Sequence, residues 1–362
     1  MSTAKKTAQK RRPPHRTLTA PGPQPIPGES LSSWIGELAH QQDFEMKPLL
    51  RELYLDRLGG LSAGEMRLSD PVVRRMEKLT GIGAEGLHAM TLARYAGNAL
   101  PHLPLLSSDG LAVQQWHKGA WIHHSEARWC TKCLRANEGS RWLLRWKLLP
   151  WSFACVDHGV YMVTECQACW ATVRFQHDAP PGRTCENWTD EGEWTHDLGE
   201  PCGFPLRMCQ PVPVSDDSVL ALQARVNTWL DGTPTHEDRH LVALAAVLIP
   251  LLSPTMVRRG DPLLRYAVRS PRGTTQRQRK GRRPWTDSLR VAAAVYTAND
   301  FLNHGYSASE VAEWIADLRL LDHRRRPWHM DVTELAYGPS LRPNPYVEPL
   351  VHRGLITVGR WL

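Results

Sequence analysis

The stretch Ala127–Cys169, ARWCTKCLRANEGSRWLLRWKLLPWSFACVDHGVYMVTECQAC, decides how this chain is read. It holds Cys130-x2-Cys133, then Cys155-x2-His158 after 21 residues, then Cys166-x2-Cys169 after seven more. A C-x2-C pair sets two sulfurs on one tight turn where both can face one ion, and two such pairs close a tetrahedral shell around zinc. Cys130, Cys133, Cys155 and His158 complete one shell with three thiolates and one imidazole. Four protein donors leave no position for water, so the site is expected to be structural rather than catalytic. Cys166 and Cys169 begin a second shell. Cys185 and Cys202 are its chosen completion, with Cys209 or His177 as substitutes. The 16 residues between Cys185 and Cys202 do not make a standard knuckle and read as a loop inserted into the site. The expected cofactor is therefore two structural zinc ions.

Eight cysteines are an even number, which permits disulfides. The paired spacing, and a first thirty residues without a continuous apolar core, favour reduced thiols and metal instead. Neither C-x2-C pair sits in a thioredoxin-like βαβ pattern, which disfavours redox catalysis. The window 116–194 also carries nine of the 15 tryptophans. They are expected to pack a small metal-stapled core rather than to stack on bases. Metal binding contributes folding free energy directly, which explains how so loop-rich a segment folds.

Outward from this module, the chain has 362 residues, 42% of them apolar and 22% charged, which suits two or three globular domains. Its longest apolar run, Leu241 to Leu252, is interrupted by Pro250 and falls short of the roughly 20 residues a bilayer needs, so neither a membrane span nor a membrane partner is expected. The expected compartment is the cytoplasm. The net charge of +7 is unevenly spread. The first 27 residues hold six Lys or Arg and no acid, and Arg269–Arg283 holds seven and no acid, leaving 31 basic against 37 acidic residues elsewhere. Both segments are poor in large apolar residues and are expected to be flexible. Lys5, Lys6, Arg11 and Arg12 in the first, and Arg279, Lys280, Arg282 and Arg283 in the second, are candidate phosphate contacts that act by counterion release.

On the N-terminal side, the lead-in APGPQPIPGES is expected to lie extended along a surface. Ser30 caps a helix over LSSWIGELAHQQ, with Leu31, Trp34, Ile35 and Leu38 on one apolar face. A second helix is expected over roughly 46–58. Ser69 or Asp70 caps a third, with Pro71 at its start and Val72, Val73, Met76 and Leu79 as its stripe. Gly81 and Gly83 bracket a turn into a further helix from about Ala84 to Tyr95, a helix-turn-helix pattern. On the C-terminal side, helices are expected over SDDSVLALQARVNTWLDG, over about 237–252, and through TDSLRVAAAVYTANDFLNHGYSASEVAEWIADLRLL. There Ser307 and Glu310 form a capping box. The last thirty residues receive no assignment.

The order PIPGESLSSWIGELA, RMEKLTGIGAEGLHAMTLARY, then the ARWCTKCLRAN–RWLLRWKL–CVDHGVYMVTECQAC string resembles the TniQ family, the TnsD-related targeting subunits of transposition systems. The likeness runs over about Pro25 to Cys202. Thr131 and Gln167 depart from it, standing where the family often has proline, and the closing CGFPL from Cys202 resembles its last ligand turn. The resemblance implies a non-enzymatic adaptor that links target DNA, or a DNA-bound guide complex, to an AAA+ ATPase regulator that recruits the transposase. It also admits a homodimer. Helix 84–95 is then the candidate recognition helix, with Glu85, His88, Thr91 and Arg94 on or near its exposed side. Two other classes stand beside this one. A zinc-containing helix-turn-helix transcription regulator would use the same parts without a transposition partner. A zinc-dependent nucleic-acid enzyme is disfavoured, because the H-x-E…P-C-x-x-C deaminase pattern is absent; a GxxxxGK[ST] phosphate loop is also absent, so any ATP chemistry is expected to belong to a partner.

The expected fold class is mainly α with small zinc-ribbon-like modules. Its parts are a basic arm over 1–27, a helical domain with the helix-turn-helix over 28–115, and a tandem zinc module over 116–210. A helical segment over 211–268, a basic linker over 269–285 and a C-terminal helical domain over 286–362 follow.

Overall fold

A computed structural model describes residues 18, 21–58, 60–95, 128–137, 141–145, 149, 151–169, 172–173, 182–187, 201–232, scattered positions through 235–248, 288–313, and the backbone of 328–330 and 356–358. The described chain is rich in helix. Five short helices open it: α1 (Leu31–Gln41), α2 (Met46–Glu52), α3 (Leu61–Met66), α4 (Asp70–Thr80) and α5 (Ala84–Ala89). α1 starts where its cap predicts, with the Ser30 hydroxyl accepting from the Ser33 N–H at 3.2 Å. Leu31, Trp34, Ile35 and Leu38 are all fully buried. Each such side chain stabilises the fold by about 2 kcal/mol relative to exposure. They meet Leu49 and Leu53 around α2, Leu61 of α3, and Val72, Val73 and Met76 of α4 in one core.

Three elements differ from the expectations above. The helix expected over 46–58 breaks after Glu52, because Tyr54 takes a left-handed φ of 63° and the chain resumes as a 3-10 turn, Leu55–Leu58. α3 was not expected. It carries Gly64, where a Cβ would sit 2.8 Å from the Leu55 Cδ2, so any larger residue would require the buried Leu55 side chain to shift. The helix expected to reach Tyr95 ends at Ala89. Met90 and Thr91 donate to the carbonyls three residues back, and Leu92–Tyr95 continues as a 3-10 turn. α4 ends as predicted at Gly81, whose φ of 75° only glycine adopts without strain.

The lead-in corrects the arm boundary at Pro27. Gly22 and Pro23 are buried rather than laid along a surface. The Gly22 N–H donates to the Thr80 carbonyl at 2.9 Å, and the Trp34 indole N–H donates to the Pro23 carbonyl at 2.7 Å. The chain is therefore fastened to the helical core from about residue 22 onward.

The cysteine-rich part holds α6 (Thr131–Ala136) and a short antiparallel hairpin, β1 (Ala154–Cys155) with β2 (Val160–Tyr161). α7 (Asp217–Asp231) follows, capped by Asp216 and ended at Gly232. The described positions between 237 and 248 are helical. α8 (Ser288–Asn303) lies on α7. The expected capping box is present, with Ser307 N–H donating to Glu310 at 2.7 Å and Glu310 N–H donating to the Ser307 hydroxyl at 3.3 Å. β3 (Trp328–Met330) pairs in parallel with β4 (Ile356–Val358), the latter within the last thirty residues that received no assignment.

Candidate metal centres

Two four-donor groups form in the described residues: Cys130, Cys133, Cys155 and His158, and Cys166, Cys169, Cys185 and Cys202. Within each, all donor atoms lie within 4.8 Å of one another. All eight cysteines are free thiols. In the first group the Cys133 and Cys155 sulfurs are 3.7 Å apart, and the His158 Nδ1 lies 3.6, 3.3 and 3.4 Å from Cys130, Cys133 and Cys155. In the second, Cys166–Cys202 and Cys169–Cys185 are each 3.7 Å. A tetrahedral zinc with sulfur bonds of about 2.3 Å separates its sulfurs by about 3.8 Å. A disulfide would bring two of them to about 2 Å. The donor chemistry and spacing therefore fit a tetrahedral divalent metal.

Local structure explains the first group. Cys130 caps α6, which places Cys133 one turn later. Cys155 ends β1, and Gly159, at a φ of 61°, folds the knuckle back so that its N–H reaches the Cys155 carbonyl at 2.9 Å. Trp129 pairs with Val163, and its indole N–H donates to the Leu206 carbonyl at 3.2 Å. Trp129 and Trp142 are fully buried, with ring centroids 5.7 Å apart, so these tryptophans pack the core as expected.

The second group is assembled by strand-like pairing. Cys185 N–H donates to the Phe204 carbonyl at 2.8 Å, Gly203 N–H to Cys185 at 2.9 Å and Cys202 N–H to Asn187 at 2.8 Å. The long gap is an insertion between two paired segments, 184–187 and 202–205. Cys209 stands outside the donor set: it is buried and its thiol points to the Glu165 carbonyl at 3.9 Å. His177 lies outside the described residues.

Electrostatics in the metal-free donor sets follow from crowding. The hydrogen bond from Cys133 holds the Cys130 thiol well below its ordinary range, and the same bond pushes Cys133 up. Burial pushes Cys166 up to about 12 and Cys185 up as well. A divalent cation must displace these protons, so metal affinity is coupled to pH.

The residues between the first two knuckles have a second task that the sequence did not reveal. Arg141 donates to both carboxylate oxygens of the buried Glu29 at 2.6 Å, and to the Gln24 carbonyl at 2.8 Å. Ser30 N–H donates to the Trp142 carbonyl, Trp142 N–H to the Ser33 hydroxyl and Leu144 N–H to the Gly28 carbonyl, all within 2.8–2.9 Å. The loop of the first metal group thus closes over the start of α1. Gln223 of α7 likewise accepts from the Phe153 and Ala154 N–H groups at 2.8 and 2.9 Å, which pins α7 to β1.

The expected recognition helix fares differently. Thr91 is buried and its hydroxyl donates to the His88 carbonyl at 2.9 Å. Arg94 pairs with Asp231 of α7 at 2.8 Å. Thr91 is turned inward, and Arg94 is partly exposed but engaged by Asp231. His88 is half-buried and Glu85 exposed. Lys5, Lys6, Arg11, Arg12, Arg279, Lys280, Arg282 and Arg283 lie outside the described residues.

A helical unit is thus closed by a cysteine–histidine knuckle module whose donors could hold a metal ion. Residues 20–162 match the TniQ family model, the family that the ordered motifs resemble. The match ends before Cys166, so the second donor group lies beyond it. No curated protein matches the chain. A TniQ domain implies, in general terms, a DNA-binding adaptor role associated with transposition. Among the described residues no helix is long and apolar enough to cross a membrane.

Proposed function

We propose that this protein is a targeting adaptor of a transposition system that carries two structural zinc ions. It links a target site or guide complex to an AAA+ ATPase regulator, which in turn recruits the transposase. The observation that carries this reading is the TniQ match over residues 20–162, which spans α1 through the complete first donor group. Each donor group supplies four protein ligands, so a tetrahedral ion has no position left for water or substrate, which supports a scaffold over an enzyme. Basic segments at 1–27 and 269–285 would add sequence-independent phosphate contacts. The test is retention of the AAA+ ATPase of the same transposition system by the immobilised, metal-loaded full chain. Specific retention is expected; repeated failure to retain it would remove the adaptor reading.

A further inference from the structure

Tyr54 joins α2 to the 3-10 turn with a φ of 63°, a backbone conformation that costs free energy for any residue with a Cβ. The ring carries two guanidinium groups: the Arg57 Cζ lies 3.8 Å and the Arg75 Cζ 5.2 Å from its centroid. Arg75 is committed, donating from Nε to the Glu52 carbonyl at 3.0 Å and from Nη2 to the Glu52 carboxylate. Arg57 is exposed and has no carboxylate partner among the described residues. Arg51 of α2 and Arg74 and Lys78 of α4 are also exposed without an ion pair there. Of the acids on these elements, Glu52 is held by Arg75 and Glu77 accepts from the Ala84 N–H at 2.7 Å, which leaves Asp56 and Asp70. Among the described residues of these elements, exposed cations without an ion pair therefore outnumber the acids left over.

We propose that the face built on Tyr54, between α2 and α4, docks a nucleic-acid phosphate backbone, with Arg57 as its pre-positioned contact. A guanidinium lying on an aromatic ring keeps its edge N–H groups free for bidentate phosphate binding. The stack also restrains the side chain beforehand, so less freedom is lost on binding. The proposal rests on the reading that this chain acts on DNA.

The experiment measures binding of the full chain to a fluorescent duplex of arbitrary sequence across a salt series. Arg57→Gln with Arg74→Gln is compared with the wild type and with a charge-matched control, Lys132→Gln with Arg207→Gln. For two lost phosphate contacts the slope of log K against log salt is expected to fall by about 1.8 in magnitude, with the control nearly unchanged. An unchanged slope in the Arg57/Arg74 pair, or an equal fall in the control, would overturn the proposal. So would unaltered DNA binding together with lost ATPase retention, which would reassign the face to an acidic protein partner. Absence of DNA binding by the wild type would instead strike the parent reading.

Discussion

The two candidate metal groups each offer four donors, three cysteines with a histidine in one and four cysteines in the other, but differ in how each is tied to the rest of the molecule. In the first, the 21 residues between the knuckles leave the site, clamp Glu29 through Arg141 and close over the cap of α1. In the second, the 16 residues between Cys185 and Cys202 are bypassed by pairing of 184–187 with 202–205. Its tie to α1 is a half-exposed ion pair, Arg183–Glu37, at 3.8 Å. The first group is built into the helical half; the second chiefly holds its own turns together. A long gap between ligand pairs can therefore be a docking arm or an insertion, and only the non-local hydrogen bonds distinguish them.

That contrast is sharpest when each group loses a ligand. Cys133→Ala should release one metal ion and, with it, the seat of α1. The metal-linked folding free energy at stake is on the order of 10 kcal/mol. Cys169→Ala should also release one ion but leave the amide protection of α1 and α4 intact. Hydrogen exchange on both variants checks this, and equal loss of protection would erase the distinction.

Next in size is the clamp itself. Arg141→Ala leaves the fully buried Glu29 carboxylate without its cation, at a cost of about 3 kcal/mol. The denaturant midpoint should fall while metal content is unchanged, which separates the clamp from the donor set. A midpoint within error of the wild type would show that the loop is merely adjacent to α1.

The smallest effect lies furthest from the metals. Burial raises the pKa of Asp238, but hydrogen bonds from Thr235 and Arg225 outweigh it and hold the carboxyl below its usual range. A depressed folded value means that the contribution is present above the unfolded pKa of about 3.9 and is lost as pH falls through the folded value. Asp238→Asn should cost less than about 1 kcal/mol near neutrality, the side chains being partly exposed, and the difference should shrink below about pH 4. A difference that grows on acidification would contradict this sign.

Much of this arrangement was legible in particular residues. Ser30 and the spacing of Leu31, Trp34, Ile35 and Leu38 marked α1, and Gly81 marked the end of α4. The C-x2-C and C-x2-H spacings marked six of the eight candidate metal donors, and they favoured metal over disulfides. Other features were hidden for physical reasons. α3 is six residues long, has no side-chain cap bond and contains Gly64, so its helical signal is faint. The helix through Thr91 looked continuous because MTLARY keeps an apolar rhythm; the local bond from Thr91 to His88 ends it instead. Arg94 read as a free cation because its partner, Asp231, is 137 residues away. Cys202 was the choice over Cys209 from the sequence, and its pairing with Asn187 supplies the physical reason.

The opening motif carries the whole account, and its central claim is that both donor groups hold a structural ion. Metal content per chain, measured by elemental analysis on gently purified full-length protein, tests this directly. The account predicts two zinc ions per chain; a value below one would contradict it.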